Sequence, residues 1–177
     1  MLALGTSAPD FVLMDVVNGH QVSTQASAGP KGLLVMFICQ HCPFVKHVEK
    51  ALAQLGHDYR SSGVGIIAIS SNDAVNYPDD APKSLAEQAR NLGFTFPYLY
   101  DETQGTARAY DAACTPDFFL FNAGLKLVYR GQFDDSRPSN GIPVTGRDLR
   151  AALDALIAGK PVSPNQRPSI GCNIKWK

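Results

Sequence analysis

An α/β domain, with a central mixed β-sheet flanked by helices, is what three observations on this 177-residue chain predict. Two runs, "LLVMFI" and "VGIIAIS", are almost wholly apolar, as strands covered on both faces must be. Each is followed by a segment with helical periodicity. Farther along, "PDFFLF" and "LKLVYR" are joined by the short turn "NAG", which makes them antiparallel neighbours, so the sheet contains both strand directions.

The first element is a hairpin added ahead of that core. In "DFVLMDVVNGHQVS", Asn18 and Gly19 supply the positive backbone angles of a tight turn between strands. After "LLVMFI" comes a helix whose apolar stripe is Phe44, Val48, Leu52, Leu55 and Tyr59, with Lys46, Glu49, Lys50 and Asp58 off it. Pro43 suits the first turn of that helix, where its missing N–H costs nothing. "VGIIAIS" leads into a polar loop, "SNDAVNYPDDAP", and then a helix with Leu85, Ala89 and Leu92 on one face and Gly93 past its end. A short helix near "QGTARAYDA" precedes "PDFFLF". The last helix is expected to open with Thr145 and Asp148 as a capping box, bury Leu149, Leu153, Leu156 and Ile157, and stop at Gly159. Beyond it, residues 160–177 form an extended tail. Ile170, Cys172, Ile174 and Trp176 alternate with polar residues or glycine there, the period of a segment laid on an apolar surface, so the tail is expected to dock with Cys172 inward.

Residues 1–177 read as one domain, with no internal repeat. Sixteen basic residues balance sixteen acidic ones, which gives no electrostatic reason to expect nucleic acid or an anionic membrane as partner. A protein or small molecule is the expected partner. "MLALGTSAPDF" lacks a basic residue ahead of an apolar stretch and does not read as a secretory signal, and the longest apolar block, "GLLVMFIC", is far short of a membrane span. The expected setting is therefore cytoplasmic, where paired cysteines mean metal or redox chemistry more often than structural disulfides.

The pair is Cys39 and Cys42, at the junction of a buried strand and a helix. Unpaired N–H groups and the helix dipole favour an anion at that place, and Cys-x-x-Cys sulfurs at a helix start can ionise between ~3.5 and ~7.5. One sulfur can attack a foreign disulfide and the other can release the mixed intermediate. His41, between them, either stabilises the thiolate or is an exposed polar residue at the helix start; His20, His47 and His57 read as surface residues. Haem attachment is excluded because Pro43, not histidine, follows Cys42. Structural zinc would need the distant Cys114 and Cys172 as further ligands. Neither a metal nor an organic cofactor is expected.

The chain resembles the thioredoxin superfamily, and within it the peroxiredoxin-like branch of the redoxins, through "GTSAPDFVLMDVVNGHQV", "FICQHCPFVKH", "NDAVNYPDDAP", "CTPDFFLF", "YRGQFDDSRP" and "PSIGCNIKWK". The resemblance implies a thioredoxin-like fold and a thiol-disulfide oxidoreductase with Cys39 as nucleophile and Cys42 as resolving partner. It implies a cis Pro116 facing the pair, and a Thr115 backbone edge able to hold an extended substrate. Protein or small-molecule disulfides and a thiol electron donor would be the partners. An antioxidant thiol peroxidase, with Cys42 attacking peroxide and Cys39, Cys114 or Cys172 resolving, is the alternative. A non-catalytic module binding protein or zinc is a third. Two departures bear on these roles. Against the peroxidase pattern Pro-x-x-x-Thr-x-x-Cys, Val35 and Cys39 stand where proline and threonine belong; where thioredoxins keep a buried acid, this chain has Leu33. Cys114, two residues before Pro116, and Cys172 are each either accessory redox thiols or buried small residues. The "RGQFDDSR" loop is expected to be a solvated, ion-paired segment.

Overall fold

The computed structural model describes residues 1–177. Strand β1 (Val12–Asp15) and β2 (Gln21–Ser23) form the hairpin, with Gly19 at φ 75° in its turn. A single turn of helix, α1 (Thr24–Ser27), capped by the Ser23 hydroxyl, leads into β3 (Gly32–Phe37), every residue of which is buried. Helix α2 (Pro43–Asp58) follows, then β4 (Val64–Ser70), a 3-10 turn (Pro78–Asp80) and α3 (Pro82–Leu92), which Gly93 ends in the left-handed region. Then come β5 (Tyr98–Tyr100), α4 (Gly105–Ala109), β6 (Cys114–Thr115), β7 (Asp117–Asn122), β8 (Leu127–Gly131), α5 (Arg147–Ile157) and β9 (Cys172–Asn173).

The strands run β2-β1-β5-β4 and β3-β7-β8, and the two sets meet where β3 lies alongside β4, with Ile38 N–H donating to the Ile69 carbonyl. β4 and β5 are parallel, while β1–β5, β3–β7 and β7–β8 are antiparallel, so the sheet is mixed. Alternation along β3 divides the core into two layers. Leu34, Met36 and Ile38 pack with α2, α3 and α5, whereas Leu33, Val35 and Phe37 pack on the other face with Tyr110, Phe119 and Ile174. This sandwich is the expected α/β class. Its effect is to bury the carboxyl end of β3, and Cys39 with it.

Several elements differ from expectation. β5 and α1 carry too short a pattern to be read locally, and β5 forms because the hairpin and β4 clamp it from both sides. Along α2 the buried stripe is Val45, Val48, Leu52 and Leu55, with Phe44 only half-buried at the rim. The capping box does not form: α5 starts after Gly146 at φ 70°, and the Thr145 hydroxyl accepts from Arg147 N–H instead. A side chain at 146 would strike the Phe133 ring, which fixes glycine there.

The "RGQFDDSR" loop is ion-paired as expected, Asp135 bridging Arg147 and Arg167, but its centre is a buried hydrogen-bonded knot and not a solvated segment. Asp134 is 3% exposed and accepts from the N–H groups of Ser136, Thr145 and Gly146, while Arg137 donates to the Asp134 and Ser136 carbonyls and to Gln132. His47 is tied to the same loop through the Ser136 hydroxyl at 2.6 Å, so it is no free surface residue. The tail docks, but only in part as its alternation suggests: Ile174 is buried and Cys172 half-buried, whereas Ile170 and Trp176 are exposed. The reason is that β9 is two residues long, and past it Trp176 turns out to lie under the Arg108 guanidinium.

Candidate active site

Pro43 opens α2, which leaves Cys42 as the residue immediately before the helix and Cys39 two residues past the end of β3. Both cysteines have no solvent exposure. Facing them is the β6–β7 corner, where the Thr115–Pro116 peptide is cis. The Cys39 sulfur is 3.4 Å from the Thr115 hydroxyl, and the Cys42 sulfur is 3.4 Å from the Thr115 carbonyl oxygen. β9 pairs antiparallel with β6, Cys172 opposite Thr115, and brings the Cys172 sulfur to 2.7 Å from that of Cys42. Cys114 is adjacent on β6, but its thiol turns away to the Pro116 carbonyl at 3.7 Å. The fold thus gathers Cys39, Cys42, Cys172 and Thr115, and leaves Cys114 outside the sulfur cluster.

The sulfurs are electrostatically unequal. Cys42 is pulled down to about 4, first by the hydrogen bond from Cys39 and then, against the cost of burial, by Cys172. Its sulfur makes no capping bond, yet the Val45 N–H of the first helical turn stabilises the anion further. Cys39 is pushed far up by its bond to Cys42, by burial and by the Asp80 charge. The pair thus favours the negative charge on Cys42 and the proton on Cys39. Burial, with the bond to Cys42, raises Cys172 to about 11, and burial raises Cys114 to about 12.

Asp80 is the residue the sequence does not reveal. It lies in the segment expected to be a polar loop, yet it is fully buried. Its carboxylate accepts from Gln40 N–H at 2.8 Å, His41 N–H at 3.2 Å and the Asn72 amide at 2.8 Å, and pairs with the His41 ring. His41 is accordingly held in place and stacked on Tyr77, with ring centroids 5.3 Å apart, and is not the loose polar residue that one reading of its position allows. The Cys39 sulfur, a His41 ring nitrogen and an Asp80 oxygen lie within 4.8 Å of one another. That trio has the donor types of a metal site, but Asp80 is already committed to four protein donors. The arrangement fits a proton path from Cys39 better, and it puts a buried acid beside the pair although position 33 has none. From α3, Gln88 adds a bond to the Cys39 carbonyl at 3.3 Å. A Pro-Asp-Asp sequence is a common turn, and nothing local marks one of its acids as buried.

A mixed sheet, a cis proline and a cysteine pair at a helix start define a thioredoxin-fold redoxin. The family model described as AhpC/TSA matches residues 4–130, and the chain belongs to that family. It is 57% identical to an uncharacterised conserved protein from Geobacillus kaustophilus whose crystal structure superposes with a TM-score of 0.98, covering 100% of this chain and 94% of that one. A thiol-disulfide oxidoreductase ResA from the same organism is 29% identical over 73% of this chain and 71% of its own length. The thioredoxin domain of a thiol-disulfide oxidoreductase from Bacteroides vulgatus, 19% identical, shares the fold with a TM-score of 0.62 over 73% of this chain and 89% of that one.

Proposed function

We propose that the protein is a thiol-disulfide oxidoreductase whose redox couple is Cys39 and Cys42. The observation that carries this is the placement of the pair, Cys42 immediately before α2 and Cys39 beside it, both against the cis Thr115–Pro116 corner, an environment that eases ionisation of Cys42 and opposes that of Cys39. In the net reaction the two sulfurs lose two electrons and form a disulfide, while a partner disulfide becomes two thiols. The similarity to ResA supports the same reaction class. The resemblance assigns attack to Cys39, but the electrostatics favour Cys42 as the nucleophilic sulfur. Cys39 then closes the disulfide, passing its proton toward His41 and Asp80. Protein or small-molecule disulfides are the partners, and a cytoplasmic setting belongs to the same proposal.

Turnover of a protein disulfide in the presence of a small dithiol tests the assignment. Wild type is expected to turn over, and the Cys39→Ser/Cys42→Ser double variant to fall to the rate of the dithiol alone. Equal rates for the two proteins would reduce the fold to a binding module.

The thiolate on Cys42 also suits a peroxidase, the second reading. Val35 and Cys39 replace the proline and threonine that orient peroxide, so hydrogen peroxide consumption is expected to be slow. Rapid stoichiometric sulfenic acid on Cys42 would favour the peroxidase and the antioxidant role.

A further inference from the structure

The backbone edge of Thr115, where an extended substrate would add as a strand, carries the chain's own tail. Cys172 sits directly opposite Thr115 in the β6–β9 pair. The tail is fastened on both sides of that point, before it by the Ser169 hydroxyl donating to the Gly131 carbonyl at 2.6 Å and after it by three further bonds. Ile174 N–H donates to the Ala113 carbonyl at 3.3 Å, Lys175 N–H to Asn72 at 2.8 Å, and Gln104 to the Lys175 carbonyl at 2.8 Å. Gly171 presses against Thr115 so closely that a Cβ would lie 2.0 Å from the Thr115 carbonyl oxygen. A foreign strand cannot pair there while the tail is in place, and neither sulfur of the couple reaches solvent. Cys172 alone joins the two requirements: it is partly exposed, and its sulfur is 2.7 Å from that of Cys42.

From this juxtaposition we infer that Cys172 is the port of the redox centre, the thiol that meets the external disulfide and relays it inward to Cys42 and then Cys39. The inference rests on the thiol-disulfide reading above. In the first step Cys172 attacks one sulfur of the partner disulfide and gives up its proton. A mixed disulfide forms, and the departing partner thiolate takes that proton, leaving the Cys42 thiolate unchanged for the next step. In the second step the Cys42 thiolate attacks the Cys172 sulfur and expels the other partner thiolate, leaving a Cys42–Cys172 disulfide. In the third, Cys39 attacks the Cys42 sulfur, and Cys172 leaves with the proton that Cys39 gives up. Two electrons have passed from the couple to the partner, and Cys172 is a thiol again. Bonding Cys42 to Cys172 needs the sulfurs to close by less than about 1 Å, given a bonded S–S length near 2.05 Å. The raised Cys172 is a slow nucleophile, so what sets it apart from the buried couple is access to the partner and not ease of ionisation.

Glutathione disulfide, added in one equivalent to fully reduced protein and followed by peptide mapping, tests the relay. Cys42→Ser is expected to accumulate glutathione on Cys172, and Cys39→Ser to stop at a Cys42–Cys172 disulfide. Glutathione trapped on Cys39, or a Cys39→Ser protein with Cys172 still free, would overturn the relay. Cys172→Ser should slow reduction of glutathione disulfide by roughly tenfold or more, since the remaining sulfurs are buried, yet still form the Cys39–Cys42 disulfide at equilibrium. An unchanged rate overturns the port. Failure of that variant to form any disulfide at equilibrium instead removes the redox couple, and the port falls with it. Gly171→Ala keeps all four cysteines but pushes β9, and the Cys172 sulfur with it, off Thr115. In the Cys39→Ser background it should abolish the Cys42–Cys172 disulfide, and persistence of that bond would show that strand pairing does not position Cys172.

Discussion

Cys42→Ser is expected to abolish disulfide turnover and to remove the protein's one thiolate at neutral pH. Cys42 alone among the four cysteines has its ionisation lowered; Cys39, Cys114 and Cys172 are all raised. A lowered value means that the charged form is present above it and is lost as pH falls through it. The ultraviolet thiolate absorbance of the reduced wild type should therefore correspond to one thiolate at pH 7 and disappear only on acidification through about pH 4. An ordinary cysteine, with a pKa of ~8.5, would already be almost fully protonated at neutral pH. Because the Cys39 hydrogen bond is the largest cause of the lowering, Cys39→Ala should move the midpoint upward. Thiolate absorbance that survives in Cys42→Ser and vanishes in Cys39→Ala would return the nucleophilic role to Cys39.

The second large effect is expected from a residue that is not a cysteine. Asp80→Ala removes a fully buried carboxylate and strands the N–H groups of Gln40 and His41, the Asn72 amide and the His41 ring. Buried donors left unpaired cost about 1 to 3 kcal/mol each, so a net loss of roughly 3 to 5 kcal/mol is expected after partial rescue by water. In a chain of this length that corresponds to a Tm lower by about 6 to 20 °C. Gln40 and His41 are the residues between the two cysteines, so the spacing of the sulfurs should loosen as well. Asp80→Asn keeps the shape and some acceptor capacity but discards the charge. It should recover much of the stability while still slowing formation of the Cys39–Cys42 disulfide, because the carboxylate that takes up the Cys39 proton through His41 is gone, even though its charge no longer pushes Cys39 up. A Tm and a disulfide-formation rate unchanged in Asp80→Ala would show that the carboxylate neither holds the loop nor serves the proton.

How much of this the amino-acid sequence determines follows from the range of each interaction. Periodicity and turn residues are local, so β3, α2, β4, α3, the β7–β8 pair and α5 are legible, and so is the cysteine pair at the start of α2. The family pattern around "CTPDFFLF" adds Pro116 opposite that pair. β5 is not legible, because three residues carry no period and the strand exists only between two neighbours. Nor is the burial of Asp80 and Asp134, since a carboxylate becomes stable inside a protein only when several N–H groups from distant segments converge on it, and no local pattern records that convergence. The tail shows the division most plainly. Its alternation is enough to predict that it docks and that Cys172 turns inward. Only tertiary structure decides that it docks on Thr115 and not elsewhere. Strand pairing is set by hydrogen bonds across more than fifty residues of chain, together with the close fit of Gly171, and those same contacts bring Cys172 to the Cys42 sulfur.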